Sequence, residues 1–267
     1  MIERHKQNPT GRFSGLAETY ARCRPSYPSD AVDFIAAVAG LTPAALIVDV
    51  GCGTGISSRL FAERGYSVCG IEPNDDMRQK AEEEEEEGRR SKSIKYSAGT
   101  AEDTGIDAEA ADLVLSAQAF HWFDPVKALP EFRRILKPGG WVALIWNERD
   151  ESDKFTAEYG ALFRTLPDTA GVEIPRGKAG NALLESNLFE HQQRDLFISS
   201  QLLDEEGLIG RAFSASYAPK HGLEKKKFEH DLRELFKVHA RQSDAGAAPL
   251  VRMHYATSVY TAQRPAL

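Results

Sequence analysis

Short apolar runs alternate with amphipathic stretches through the first 146 residues. Residues 46–50, 66–72, 93–98, 111–118 and 141–146 have the length and apolar content of strands. Residues 56–64 and 127–136 read as helices between them, the second with Leu129, Phe132, Ile135 and Leu136 at helix spacing. Another helix starts from the capping group 73–76 and continues through an unbroken acidic run, 82–87, which reads as a solvated tail. A helix over 31–39 precedes the first strand, with Ser29 and Asp30 before it and Val32, Ile35, Ala36 and Ala39 on one face. Residues 137–140, Lys-Pro-Gly-Gly, read as a helix stop and tight turn before the fifth strand. Strands alternating with helices predict right-handed crossovers and a mostly parallel, doubly wound sheet with helices on both faces.

The second half is less regular. Residues 155–166, 202–213 and 224–241 read as helices, and 189–199 and 251–262 as strands. Residues 168–181 are loop-like and rich in glycine and proline, which suits a lid or a substrate-facing insertion. No internal repeat and no linker divides the chain. The expectation is one domain over 1–267, with 1–40 as an N-terminal cover and 150–240 carrying substrate-side insertions.

Composition narrows the class. The 267 residues are 42% hydrophobic and 27% charged, which is ordinary for a globular domain. No apolar run approaches the length of a membrane span, and residues 1–12 are polar, with no signal-like apolar core. Cys23, Cys52 and Cys69 form no metal-ligand spacing, and no metal site is expected; free thiols in a reducing cytoplasm are. The net charge of −7 argues against nucleic acid as the main partner.

Candidate chemistry centres on residues 46–56. An apolar strand carrying Asp49 near its end runs into Gly51-Cys52-Gly53-Thr54-Gly55 and then into a helix. A strand, a glycine-rich turn and a helix N-terminus form a nucleotide-binding arrangement. The dinucleotide fingerprint G-x-G-x-x-G requires a glycine where Ile56 stands. Asp49 at the strand tip would repel a pyrophosphate and suits a cationic ligand. Glu72 closes the second strand, where a carboxylate can accept from vicinal ribose hydroxyls; a solvated strand end is the plain alternative.

These features resemble motif I of the class I S-adenosylmethionine-dependent methyltransferases. The Tyr20…Arg24-Pro25-Ser26-Tyr27-Pro28 segment and the Leu136-to-Gly140 turn are similar to those of a small-molecule group that includes trans-aconitate methyltransferase-like proteins. The resemblance is specific over residues 20–146 and implies a seven-stranded sheet with one antiparallel strand. It implies that Asp49, Gly51, Gly53 and Gly55 hold the methionine end of S-adenosylmethionine, and that Glu72, next to Pro73, holds the ribose. Met77 would lie near the adenine. Thr100, Ala101 and Glu102 follow the third strand, where the family holds the adenine; a loop cap for a helix starting near Asp103 is the other reading. Gln118 would face the sulfonium. Tyr20 and Arg24 would cover the cofactor, with Arg24 on its carboxylate. His121, in the aromatic run 120–123, is the one candidate general base, against a packing role.

The function that follows is methyl transfer to a small-molecule acceptor, a carboxylate or hydroxyl, with S-adenosylhomocysteine as the spent cofactor. A non-catalytic module binding the same cofactor is the alternative, and a nicotinamide oxidoreductase a more distant one. Trp146, Tyr159, Tyr217 and His254 are candidates for a substrate pocket, with a structural role as the competing reading.

Overall fold

The structure is a computed structural model; it describes residues 17–87, 94–166, 176–215, 217–242 and 248–266. Its centre is one seven-stranded sheet in the order β3-β2-β1-β4-β5-β7-β6. The strands are β1 (Leu46–Val50), β2 (Ser67–Ile71), β3 (Ile94–Ser97), β4 (Ala111–Ala117), β5 (Leu136–Arg149), β6 (Glu190–Leu203) and β7 (Val251–Gln263). β1 pairs in parallel with β2 on one side and β4 on the other, so the strand order reverses at β1. β7 runs antiparallel between β5 and β6. This is the doubly wound sheet with one reversed strand that the sequence predicts.

The helices are α1 (Ala17–Cys23), α2 (Ser29–Val38), α3 (Ile56–Ala62), α4 (Asp75–Glu87), α5 (Pro125–Ile135), α6 (Lys154–Arg164), α7 (Asn181–Leu184), α8 (Glu205–Phe213) and α9 (Gly222–His239). Successive strand residues point to opposite faces. Ile47 therefore packs with Val32 and Ile35 of α2 and Phe61 of α3. Val48, its neighbour, packs with Leu129, Phe132 and Ile135 of α5 on the other face. None of these side chains is exposed by more than 5%.

Three strands outrun the rest. β4 ends at Ala117 opposite Ile145, but β5 continues to Arg149, paired with Tyr255, and β7 begins earlier still, at Val251 opposite Leu203. They form a wall standing past the carboxyl ends of β1 and β4. A second cluster of Phe155, Tyr159 and Phe163 of α6, Leu208 of α8 and Leu232 of α9 packs on that wall against Met253 and Tyr255. α1 lies between α8 and α4. The Lys80 ammonium of α4 joins it there, 2.8 Å from Glu18 and 3.1 Å from Glu84. The acidic run is helical, as expected, and continues α4 to Glu87.

Some elements depart from the prediction. Residues 137–140 are not a separate turn: β5 starts at Leu136, opposite Ala111, and the register shifts before Leu113. Gly139 N–H donates to Arg264 O, and Arg264 N–H to Gly140 O, so this stretch is a bulge bound to the last residues of the chain. No helix begins near Asp103. Thr100 and Asp103 close a tight turn, with Thr100 N–H on Asp103 O at 3.0 Å and Asp103 N–H on Thr100 Oγ1 at 3.1 Å. Glu131 of α5 then pins the chain by accepting from Thr104 N–H and Oγ1. The strand expected to end at 199 runs to Leu203, and Asp204 caps α8 instead of lying in it, accepting from Gly207 N–H. The stop expected at 88–90, the strand start at 93, loop residues 168–175 and the segment before residue 17 lie outside the described residues. Among the described residues no helix is long and apolar enough to cross a membrane.

Candidate functional site

A cavity of about 200 Å³ opens at the carboxyl ends of β1, β2 and β4, where the strand order reverses. Open α/β sheets bind their ligands at such a switch point. Gly51 and Gly53 form its floor, Glu72, Pro73 and Met77 one side, Thr100, Ala101 and Glu102 another, and Gln118 the fourth. Nine of the residues singled out from sequence thus meet around one space.

The turn is built for close approach. Gly51 and Gly53 have φ of +71° and +57°, a region that glycine enters without steric cost. A Cβ on Gly51 would stand 2.6 Å from Ala119 Cβ and 2.9 Å from a ring carbon of Phe123, so the absent side chain lets the ends of β1 and β4 meet. At Gly53 the nearest atom to such a Cβ is Met77 Cε at 3.5 Å, so its bare backbone faces open cavity.

Glu72 bridges the two sides. One carboxylate oxygen accepts from Gly53 N–H and the other from Asn74 N–H, each at 2.9 Å. Burial pushes this carboxyl up, and the two backbone hydrogen bonds pull the other way. Asn74 Oδ1 in turn accepts from Met77 N–H and caps α4. On the opposite rim Glu102 accepts from Asp124 N–H, which fixes its carboxylate beside Ala101. Gln118 has a φ of +59°, uncommon for a residue with a side chain, and its Nε2 donates to Asn147 O.

Four other candidates stand outside the cavity lining. Asp49 has no exposed surface and lies beneath the turn, outside the cavity lining. Its Oδ2 accepts from the hydroxyls of Ser57 and Ser58, each at 2.7 Å, in the first turn of α3. Gly55 is turned away from the opening and lies against the Tyr96 hydroxyl. Arg24 does not line the cavity; its Nη2 donates to Ser214 O at the end of α8, because α1 docks there. His121 is buried, and its Nδ1 accepts from Trp146 Nε1 at 3.3 Å, below the cavity rather than in it. The side chain of Tyr20 lies outside those described. Trp146 and Tyr159 are core residues of two separate clusters and do not line this cavity.

Tyr27, Cys52, Trp122 and Phe123 also line the cavity, though none was assigned a cofactor contact from sequence. Aromatic residues after β4 and in the Tyr-Pro cover carried a signal, but their reach depends on how α1 and the 120–123 turn fold over the strand ends.

Asp49 makes the turn sensitive to pH. Burial raises its carboxyl to about 6, against the hydrogen bonds from Ser58 and Ser57. Its unfolded value is about 3.9, so the folded chain holds the extra proton between these pH values. Stability contributed here is greatest at and below pH ~4 and falls as pH rises toward 6, by about 3 kcal/mol in all. Asp49→Asn keeps an acceptor for the serines and does not titrate. Its unfolding free energy relative to the parent should therefore rise by about 2 kcal/mol between pH 4.5 and 7.5 in urea melts. A difference independent of pH would contradict this assignment.

Residues 48–144 match the family model described as a methyltransferase domain. Over these residues the chain is similar to methyltransferase domains. It is 38% identical over 154 residues to an uncharacterised methyltransferase of Mycobacterium tuberculosis, covering 56% of this chain and 58% of that one. A probable S-adenosylmethionine-dependent methyltransferase of Saccharomyces cerevisiae is 35% identical over 125 residues, 46% of this chain and 43% of the relative. The chain thus spans only about half the length of these relatives. A structure described as a putative type II methyltransferase from Anaeromyxobacter dehalogenans superposes with a TM-score of 0.63 at 22% identity, covering 91% of this chain and 98% of the other. At that identity the likeness is one of fold. The matched residues contribute the whole cavity lining except Tyr27, which precedes them.

Proposed function

We propose that the cavity binds S-adenosylmethionine and that the protein transfers its methyl group to a small-molecule acceptor. The observation that carries this reading is Glu72, whose carboxylate is held at the cavity by Gly53 and Asn74 N–H groups, beside a turn with no side chain in the way. A carboxylate presented there suits vicinal ribose hydroxyls and disfavours a pyrophosphate. The backbone of Gly51 and Gly53 would take the methionine end, with Asp49 acting through its charge from below and Gly55 setting the course of the turn. Thr100, Ala101, Glu102 and Met77 would enclose the adenine, Pro73 would flank the ribose, and Gln118 would face the sulfur.

When bound, S-adenosylmethionine supplies an electrophilic methyl: an acceptor lone pair forms the new bond while the carbon–sulfur bond breaks and its electrons stay on sulfur. The protein's part is alignment and exclusion of water. Alignment alone can contribute about 7–11 kcal/mol. Gln118, held on Asn147 by its amide, and Trp122 and Phe123 at the mouth would do this work. A carboxylate acceptor loses no proton, so no base is needed. His121 is a positioning residue here, since its Nδ1 is engaged with Trp146. The region after β5, residues 150–240, would select the acceptor.

Incubation with S-adenosylmethionine and a panel of small acids, phenols and amines tests the activity. A mass gain of one methyl group on at least one compound is expected. Tight binding of S-adenosylhomocysteine with no methylated product would favour the non-catalytic module, and binding of NAD in its place would favour an oxidoreductase.

A further inference from the structure

Asn147 lies just behind the mouth of the cavity, outside its lining, on β5 two residues past the last pair with β4. Its carbonyl accepts from Gln118 Nε2 at 3.1 Å. Its side chain spans two other segments. Nδ2 donates to Ser26 O at 3.0 Å, and Oδ1 accepts from Oγ1 of Thr257, its cross-strand partner on β7, at 2.7 Å. The carboxamide has one orientation that satisfies both neighbours. Ser26 O can only accept, so the nitrogen faces it, and the oxygen is left for the Thr257 hydroxyl. Thr257 has no exposed surface, so its hydroxyl depends on a partner inside the protein.

The Ser26 bond holds the segment that closes the cavity from the N-terminal side. Residues 25–28, Pro-Ser-Tyr-Pro, join α1 to α2 without regular structure, and the two prolines have no N–H to donate. Tyr27, directly after Ser26, lines the cavity. The start of the segment is fixed elsewhere. Cys23 O accepts from Gln201 Nε2 of β6, and Arg24 donates to Ser214 O at the end of α8. Neither Gln201 nor Ser214 lines the cavity. The Tyr27 ring also packs beside Val32 and Ile35 of α2, so breaking the Ser26 bond would loosen the segment without unfolding it.

The opposite rim depends on the same residue. Gln118 keeps a left-handed backbone conformation, which persists only where the surroundings hold it, and its amide rests on Asn147 O. Tyr27 on one side of the mouth and Gln118 on the other therefore share one anchor.

We propose that Asn147 is a positioning residue for the cofactor: its carboxamide holds Tyr27 at the mouth of the cavity through Ser26, and this slows release of the bound adenosyl ligand. The proposal rests on the cofactor reading for the identity of that ligand; the tie between Asn147 and the cover stands without it. Affinity at such a site is tuned mainly through the rate of release, since a cover that is held closed must move before the ligand leaves.

The test uses the full chain with two readouts. One is release of tritiated S-adenosylhomocysteine into an excess of unlabelled ligand. The other is amide hydrogen exchange of the Ser26–Tyr27 segment in the ligand-free protein. Asn147→Asp keeps the volume and the Thr257 bond but turns an oxygen toward Ser26 O. It should speed release about fivefold or more, with the association rate within about threefold of the parent. Asn147→Ala should do about the same, and the segment should exchange faster in both variants. Thr257→Val should speed release about twofold in the parent and add nothing to Asn147→Ala, because it acts through the carboxamide. A role confined to bracing β7 through Thr257 would leave Asn147→Asp at the parental rate, and that result would overturn the proposal. A Thr257→Val effect that adds in full to Asn147→Ala would overturn it too. If Asn147→Ala does not fold, Asn147→Asp decides alone. A parent protein that binds no S-adenosylhomocysteine would instead overturn the cofactor reading, and hydrogen exchange in Asn147→Asp would then decide the tie, parental exchange overturning it.

Discussion

Glu72→Ala should weaken S-adenosylhomocysteine binding by at least about a hundredfold. Two effects combine. The carboxylate now fixes Gly53 and Asn74 through charge-assisted hydrogen bonds of 2.9 Å, and without it both N–H groups lose their partner and the turn loses its tie to β2. The ligand also loses its expected ribose acceptor. Hydrogen bonds to a charged group contribute about 1.5–3 kcal/mol each, so losing even two of them reaches that size. Glu72→Gln should be nearly as damaging, because an amide nitrogen would face one of the two N–H donors. Calorimetry reads the affinity, and a thermal melt checks that the fold survives. A loss of only a few-fold in both variants would remove the ribose assignment.

Gly51→Ala and Gly53→Ala should separate folding from binding. Each forces a side chain into a left-handed backbone region, at about 1–2 kcal/mol. At position 51 the new methyl also collides with Ala119 and Phe123, and relieving that overlap costs about 1–3 kcal/mol more. Gly51→Ala should therefore lose roughly 2–5 kcal/mol of unfolding free energy in urea melts. At position 53 the methyl meets only Met77 at ordinary contact distance and projects into the cavity. Gly53→Ala should stay folded at 25 °C and bind S-adenosylhomocysteine at least tenfold more weakly. The opposite ranking, with Gly53→Ala the less stable protein, would contradict the packing described for the turn.

The parts of the molecule legible in sequence are those governed by local rules. β1, β4 and residues 142–146 of β5 are apolar runs because helices cover both of their faces, whereas the edge strand β3 alternates half-buried and exposed positions. That Gly51, Gly53 and Glu72 meet at one cavity was legible because a glycine turn follows the first strand and an acid closes the second, its parallel neighbour. Asp49 was assigned to the site on its charge and on the resemblance of its motif. Its burial depends on Ser57 and Ser58 rising from α3 to meet it, a packing fact that spacing does not reveal. His121 stands beside Trp122, which does line the cavity, yet one step along that turn directs its ring to Trp146 instead. The bulge at 137–140 was hidden because its partner, Arg264, is the far end of the chain.

A crystal structure of the protein grown with S-adenosylhomocysteine tests the central claim most directly. The account predicts the homocysteine part over Gly51 and Gly53, both ribose hydroxyls within 3.2 Å of Glu72, and the adenine between Met77 and Ala101. A ligand bound elsewhere, or one lying in the cavity with its ribose away from Glu72, would contradict it.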